Sequence, residues 1–361
     1  MCIGFGAVLM MASGVGLIVT PLLVARYEGS VNKADLFRDG DTGTRPEAQS
    51  RVRADGPLNI LLAGVDTRPD KPDEAPHADS VMILHVPRTR DRAYLFSLAR
   101  DTLVDIPAYA PAKFSGGRGK LAEAMAHGSL IPGKAPDPTS GFALLAQTVT
   151  HYTGIGDFAA GAIINFDGFR RIVDAMGGVD LYVDQRVVSI HVTPDGRSRY
   201  PTYENSPRTR PQKEYTVGPH HMVGWEALDY VRQRHIDPSN GLEGDDYARQ
   251  RHQRQFIKAM VAKAASAGVV GNPARLDSVL LAAGGSLTFA GRGATVLDFA
   301  IALRKIDSGS LTTLKLLGSE VRCPDGSSCQ RLDPIAQDLF AAVAGETVDS
   351  FLGGHTELIS R

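Results

Sequence analysis

The sequence predicts an α/β (α+β) fold, with a central mixed or antiparallel sheet flanked by helices and a single N-terminal transmembrane helix. Three observations point there. Apolar runs of strand length at 58–65, 81–86 and 93–99 are each bounded by polar, Gly or Pro residues. From residue 139 onward, segments of helical period alternate with strand-like ones. Residues 3–25 carry no charge and are long enough to span a bilayer, which takes about 20 helical residues.

The N-terminal span is expected to be an uncleaved anchor, because Leu23-Val24-Ala25 is a poor cleavage site for a signal peptidase. Only Met1 and Cys2 precede it, so flanking charge gives little guidance to orientation, and the true start is expected to lie upstream. A polar linker or stalk is predicted over 26–56, where Gly40-Asp41-Thr42-Gly43 and Pro46 interrupt regular structure. The catalytic domain is expected over 57–267, with a C-terminal extension over 268–361 packing on it.

Within the domain, 139–152 reads as a helix, 162–166 as a strand and 167–176 as a helix stopped by Gly177-Gly178. Residues 179–183 form a further strand. Arg, Pro, Ser and Tyr dominate 185–219, which reads as a long surface loop. A helix over 223–231 follows. In the next one, 246–265, Phe256, Ile257, Met260, Val261 and Ala264 keep the spacing of a single buried face. A last strand is expected at 311–317. Cys323 and Cys329 bracket a turn-forming Pro-Asp-Gly-Ser-Ser, and with only three cysteines in the chain they lack partners for a zinc set. A disulfide in an oxidising compartment is the expectation.

Composition excludes some functions. Lys+Arg is 39 and Asp+Glu is 40, so the basic excess typical of nucleic-acid binding is missing. Charge is instead concentrated locally. The first strand ends at Asp66, the second begins just after Asp79, and the third ends at Arg100-Asp101. If these strands run up, down and up, all of these groups meet at one sheet edge. Paired carboxylates with room for water and phosphate oxygens commonly hold Mg²⁺, so Asp66 and Asp79 are the candidate metal ligands. A second cluster lies between Arg232 and Arg254. Arg232 and Arg234 alternate in a segment expected to be extended, where both side chains face one way. Arg249 and Gln253 share a face near the start of the next helix, which Asp245 or Asp246 is expected to cap. Arginine suits phosphate because its planar fork donates two bonds at once.

These stretches resemble the LytR–CpsA–Psr family of bacterial envelope proteins. The matching segments are Asn59-Ile-Leu-Leu-Ala-Gly-Val-Asp66-Thr-Arg68, Ala78-Asp79-Ser80-Val-Met-Ile-Leu and Ser97-Leu-Ala-Arg100-Asp101-Thr102. Asp167-Gly-Phe, Ala175-Met-Gly-Gly-Val-Asp180, Gly224-Trp-Glu-Ala-Leu-Asp-Tyr-Val-Arg232-Gln-Arg234 and Asp246-Tyr-Ala-Arg249-Gln-Arg-His-Gln253 follow in order. The resemblance implies transfer of a glycopolymer from a polyprenyl-pyrophosphate carrier to a peptidoglycan acceptor, outside the membrane, with Mg²⁺. By position it implies Asp66 and Asp79 as Mg²⁺ ligands. It likewise implies Arg68, Arg100, Arg232, Arg234, Arg249 and Gln253 on the pyrophosphate, and Asp246 as an active-site carboxylate. Arg100, Asp101 and Asp246 are the catalytic candidates, with the general base either Asp246 or Asp101. Two positions depart from the family pattern: His77 and His252 stand where arginine is common. Two other readings share these residues. One is a pyrophosphatase that uses water as nucleophile; the other is a membrane-tethered regulator that binds the lipid carrier without turnover.

Overall fold

The computed structural model describes residues 32–37, 56–67, 73–156, 158–198, 211–233, 245–266, 278–279, 281–295, 298–299, 302–303 and 305–360. The expected span at 3–25 lies outside them, and no helix among the described residues is long and apolar enough to cross a membrane.

The strands in chain order are β1 (Asn32–Lys33), β2 (Leu58–Val65), β3 (Ala78–Val86), β4 (Ala93–Leu98), β5 (Leu103–Ile106), β6 (Gly117–Lys120) and β7 (Ala160–Asn165). They continue with β8 (Val179–Val183), β9 (Val187–Val188), β10 (Glu214–Tyr215), β11 (Gly218–Met222), β12 (Leu287–Ala290), β13 (Leu311–Leu314), β14 (Gly318–Arg322) and β15 (Ser328–Leu332). The helices are α1 (Leu121–Ser129), α2 (Pro138–Thr153), α3 (Phe166–Ala175), α4 (Gly224–Arg232), α5 (Asp245–Ser266), α6 (Ile335–Ala344) and α7 (Val348–Gly354).

Seven strands form the central mixed sheet in the order β1-β12-β7-β2-β3-β4-β13. Strand β3 is antiparallel to both β2 and β4, while β7 runs parallel to β2 and β13 parallel to β4. Strands β2, β4 and β7 therefore end at the same edge, where β3 begins. Almost every residue of β2, β3 and β4 is buried, so both faces of the sheet are covered and the strands read as continuous apolar runs. Helices α1 and α2 pack on each other, and α3, α4 and α5 pack in series. The face of α5 predicted from its spacing is the buried one: Phe256, Ile257, Met260, Val261 and Ala264 all lie in the core, with Phe256 against Phe169 of α3 at 4.8 Å.

Several expectations change. Residues 32–37, read as linker, are tied into the fold: β1 pairs with β12, and Leu36 and Phe37 are buried. The boundary expected at 267 cuts through the central sheet, because β12 and β13 are strands of it. The segment read as a loop at 185–219 holds β9, β10 and the start of β11, which pair as β10-β9 and β11-β8. The last strand stops at Leu314, and β14 and β15 then form a hairpin whose turn is closed by a Cys323–Cys329 disulfide, Cα to Cα 5.3 Å.

Gly161 of β7 illustrates how closely the layers approach. A Cβ there would fall 2.7 Å from the Phe142 ring of α2 and 2.8 Å from Phe37. Overpacking a filled core costs typically about 1–3 kcal/mol. Gly161→Val should therefore lower the unfolding free energy by that amount, while Gly353→Ala, in α7 with open space around it and no positive φ, displaces no neighbour. Chemical denaturation of the two variants measures the difference.

Candidate active site

The site is built where β2, β4 and β7 end. A register shift lies between Gly64 and Val65, which pair with Ser80 and Ala78. Asp79 is the extra residue between those partners, the kind of irregularity that re-aims a side chain at a strand end. Asp66 follows Val65 directly, so the two carboxylates leave neighbouring strands at one edge. Each is matched with an arginine. Asp79 accepts a hydrogen bond from Arg100 Nη1, and Asp66 lies 3.8 Å from Arg232 Nη2.

The corner after β4 is held from three sides. The first backbone N–H groups of α1, at Leu121 and Ala122, donate to the carbonyls of Thr102 and Arg100 at 2.9 Å each. These are the amides a helix start leaves without internal partners. Gln330 of β15 donates its N–H to the Asp101 carbonyl at 2.8 Å, so the disulfide-closed hairpin buttresses the same corner. The Asp101 side chain is engaged by Lys120 Nζ at 3.1 Å and by Arg100 Nε at 3.5 Å. Lys120 is a site residue that sequence reasoning missed. It sits in Gly117-Arg-Gly-Lys120, a stretch with no motif, and only tertiary pairing brings it to Asp101.

From the other side, α4 ends at Arg232. Its guanidinium lies over the Phe166 ring, 3.9 Å from the centroid, a cation–π contact at the first residue of α3. Asn165 caps α3 by accepting from Gly168 N–H, which fixes Phe166 beside the end of β7. Gln233 is extended and buried, so the helix stops at Arg232, which is itself helical and not part of the extended segment expected for it. Helix α5 reaches the edge through Gln253, which accepts from Ser80 Oγ at 3.0 Å, next to Asp79. Arg249 is buried about one turn earlier on α5.

The structure thus gathers Asp66, Asp79, Arg100, Asp101, Arg232 and Gln253 around one edge. Arg68 and Arg234 lie outside the described residues, and the side chain of Asp246 does too, although its backbone begins α5. His77 is exposed beside Asp79. His252 stands where the family commonly has arginine. It is buried, stacks on Tyr230 with centroids 4.3 Å apart, and is pushed down to about 3 by desolvation, with Arg251 adding to the shift. It is neutral at physiological pH and brings no charge to an anion. Asp229, one turn before Arg232, shifts the opposite way: burial pushes it up to about 6 against the donors that contact it.

Among the described residues, no group of three or more His, Cys, Asp and Glu converges as a metal cage. The Asp66–Asp79 pair nonetheless fits Mg²⁺, a hard cation that takes one or two carboxylates and leaves its other positions to water and phosphate oxygens. When bound, such an ion would neutralise phosphate oxygens.

A family model described as the LytR_cpsA_psr family matches residues 25–339. The polyisoprenyl-teichoic acid–peptidoglycan teichoic acid transferase TagU of Enterococcus faecalis is 28% identical over 291 residues, covering 80% of this chain and 78% of TagU. The cell wall biosynthesis protein LcpA of Corynebacterium glutamicum is 27% identical over 328 residues; the match covers 84% of this chain but only 56% of LcpA. Among solved structures, protein gbs0355 of Streptococcus agalactiae shares the fold, with TM-score 0.64, 21% identity and coverage of 82% of this chain and 90% of that one.

The burial of His252 has a pH consequence. Its folded value, about 3, lies below the ordinary 6.5, so the unfolded chain binds the extra proton between these limits. Stability from this group is intact above pH 6.5 and falls as pH drops toward 3. His252→Phe should flatten the acid side of the melting-temperature profile between about pH 6 and 4. Thermal melts of both proteins across that range test this.

Proposed function

The chain belongs to the LytR_cpsA_psr family, and from that premise we propose that it transfers a glycopolymer from a polyprenyl-pyrophosphate carrier onto peptidoglycan. We place the reaction at the outer face of the membrane, with the chain anchored by residues 3–25 and assisted by Mg²⁺ on Asp66 and Asp79. The observation that carries the reading is the convergence at one sheet edge of two carboxylates, each matched with an arginine: Asp79 with Arg100 and Asp66 with Arg232. Support comes from TagU, a relative named as a teichoic acid–peptidoglycan transferase, and from the disulfide, which suits an oxidising compartment.

The chemistry follows from charge. A hydroxyl of the acceptor attacks the phosphorus that carries the glycopolymer. A new P–O bond forms, the bridging P–O bond of the pyrophosphate breaks, and polyprenyl phosphate leaves. Arg100 and Arg232 hold phosphate oxygens and offset the negative charge that grows on the leaving group. Asp101 or Asp246 takes the hydroxyl proton. Lys120 and Arg100 keep the Asp101 carboxylate oriented at the end of β4.

The direct test incubates the protein with a polyprenyl-pyrophosphate glycopolymer, Mg²⁺ and peptidoglycan. Polyprenyl phosphate should be released and polymer should become covalently attached to the acceptor. Release with no attachment would mark a hydrolase, and binding with no release a regulator. In that assay Asp66→Ala and Asp79→Ala should each abolish turnover while circular dichroism stays unchanged; full activity in either variant would remove it from the metal site.

The arginines should act on affinity. Arg232→Ala removes a charge-assisted donor worth about 1.5–3 kcal/mol, which corresponds to roughly 10- to 150-fold weaker binding of pyrophosphate. Calorimetric titration measures this; a variant that instead loses thermal stability and keeps its affinity would make Arg232 a structural ion-pair residue.

A further inference from the structure

The mechanism makes no use of Asp229, yet both of its carboxylate oxygens accept hydrogen bonds from buried donors beside the site. It is buried, at 3% exposure, on α4 one turn before Arg232. Three donors from three separate segments meet it. Ser189 Oγ, just past β9, donates to Oδ1 at 2.8 Å, and Tyr215 OH of β10 donates to Oδ2 at 2.8 Å. Gln233 Nε2 donates to Oδ1 at 2.7 Å and also to the Asp229 carbonyl at 3.0 Å. Gln233 closes the circuit, because its Oε1 accepts from Ile190 N–H at 3.2 Å. Ser189 Oγ in turn accepts from the N–H groups of His191 and Val192, at 3.0 Å each.

This chemistry requires a carboxylate. Donors approach both oxygens, and asparagine would turn an amide N–H₂ toward one set of them. Desolvation opposes burying such a charge, and mere stability is poorly served by it, since apolar residues of similar volume often do as well or better. What the network accomplishes is local. It clamps Gln233, the residue directly after Arg232, into the interior. Gln233, extended at the helix end and turned inward, fixes the backbone at the last helical residue, Arg232, whose guanidinium reaches Phe166 and Asp66. Arg232 also feels the Asp229 charge directly, and its guanidinium pulls the Asp229 pKa down against burial.

We infer that Asp229 is a positioning residue: through Ser189, Tyr215 and Gln233 it fixes the end of α4, so that the Arg232 guanidinium stands ready at the sheet edge before any phosphate arrives. The consequence for phosphate binding rests on the reading above, whereas the placement of Arg232 does not.

The test therefore has a ligand-free arm. In the full chain labelled with ¹⁵N-arginine, the Nε–H signal of Arg232, assigned by its loss in Arg232→Ala, should be sharp and slow to exchange with solvent. In Asp229→Asn it should broaden and exchange at least tenfold faster. Tyr215→Phe removes a single donor and keeps the ring, and should change the signal in the same direction by less; it serves if Asp229→Asn does not fold. Asp229→Asn combined with Gln233→Glu restores a carboxylate facing an amide and should recover most of the wild-type signal. In the second arm, titration with inorganic pyrophosphate should show Asp229→Asn weakening affinity about tenfold, but not at all in an Arg232→Ala background, since coupled residues are non-additive. An unchanged Arg232 signal, or equal losses in both backgrounds, would overturn the inference. Wild-type protein that binds no pyrophosphate would sink the functional reading and leave the first arm to decide the placement of Arg232.

Discussion

Guanidinium groups gathered at one sheet edge repel one another, and the fold holds them there by setting a carboxylate against each. Two unit charges 4 Å apart interact by about 4 kcal/mol at an effective dielectric of about 20, so the balance is not a minor term. Asp79 answers Arg100, Asp66 answers Arg232, and Asp101 answers Lys120. The scaffold serves this balance. Three strands must end at one edge, a register shift must turn Asp79, and α1 must start where its free amides meet the carbonyls of Arg100 and Thr102.

Beside these half-buried pairs lies a second group of contacts. Tyr230 stacks on His252, Tyr215 meets Tyr230 edge-on at 5.5 Å, and Arg251 pairs with Asp184 at 3.1 Å. Gln255 joins them by donating to Asp184 at 2.7 Å. The Tyr230–His252 stack joins α4 to α5, the helices that bring Arg232 and Gln253 to the edge, while Asp184 ties α5 to the end of β8. The neutral His252 belongs to this group. Its ring supplies a packing surface for Tyr230, and its charge is suppressed by the same burial.

Legibility in the sequence followed the physical source of each feature. Strands 58–65 and 179–183 have the predicted limits because apolar side chains run to both ends. Strand β3 begins three residues before its apolar run, since the ladder continues through Ser80 and, past the bulged Asp79, to Ala78. Strand β11, Gly-Pro-His-His-Met, has no apolar alternation and exists because β8 is there to pair with it. Asp66, Asp79, Arg100 and Arg232 were legible because each sits at the end of a readable element. Lys120 and Asp229 were not, since their partners lie in distant segments. The burial of His252 was not legible either, because its neighbours in sequence are charged while Tyr230 stacks on it in space.

The outer strands of the sheet carry a cost in time. Leu311 pairs with Ala93 and Thr288 with Asn32, so both flanks join segments from far apart in the chain. Contacts of such long range slow folding, because the loop must close before the pairing repays it. Until residues 311–314 emerge and dock, the flank of β4 that β13 will cover stands as an open row of amides and carbonyls, which invites pairing with other chains. A polypeptide that emerges from its N-terminus must therefore keep that edge guarded through most of its synthesis. The almost wholly apolar β4, Ala-Tyr-Leu-Phe-Ser-Leu, makes this the segment where a delay would first lead to aggregation.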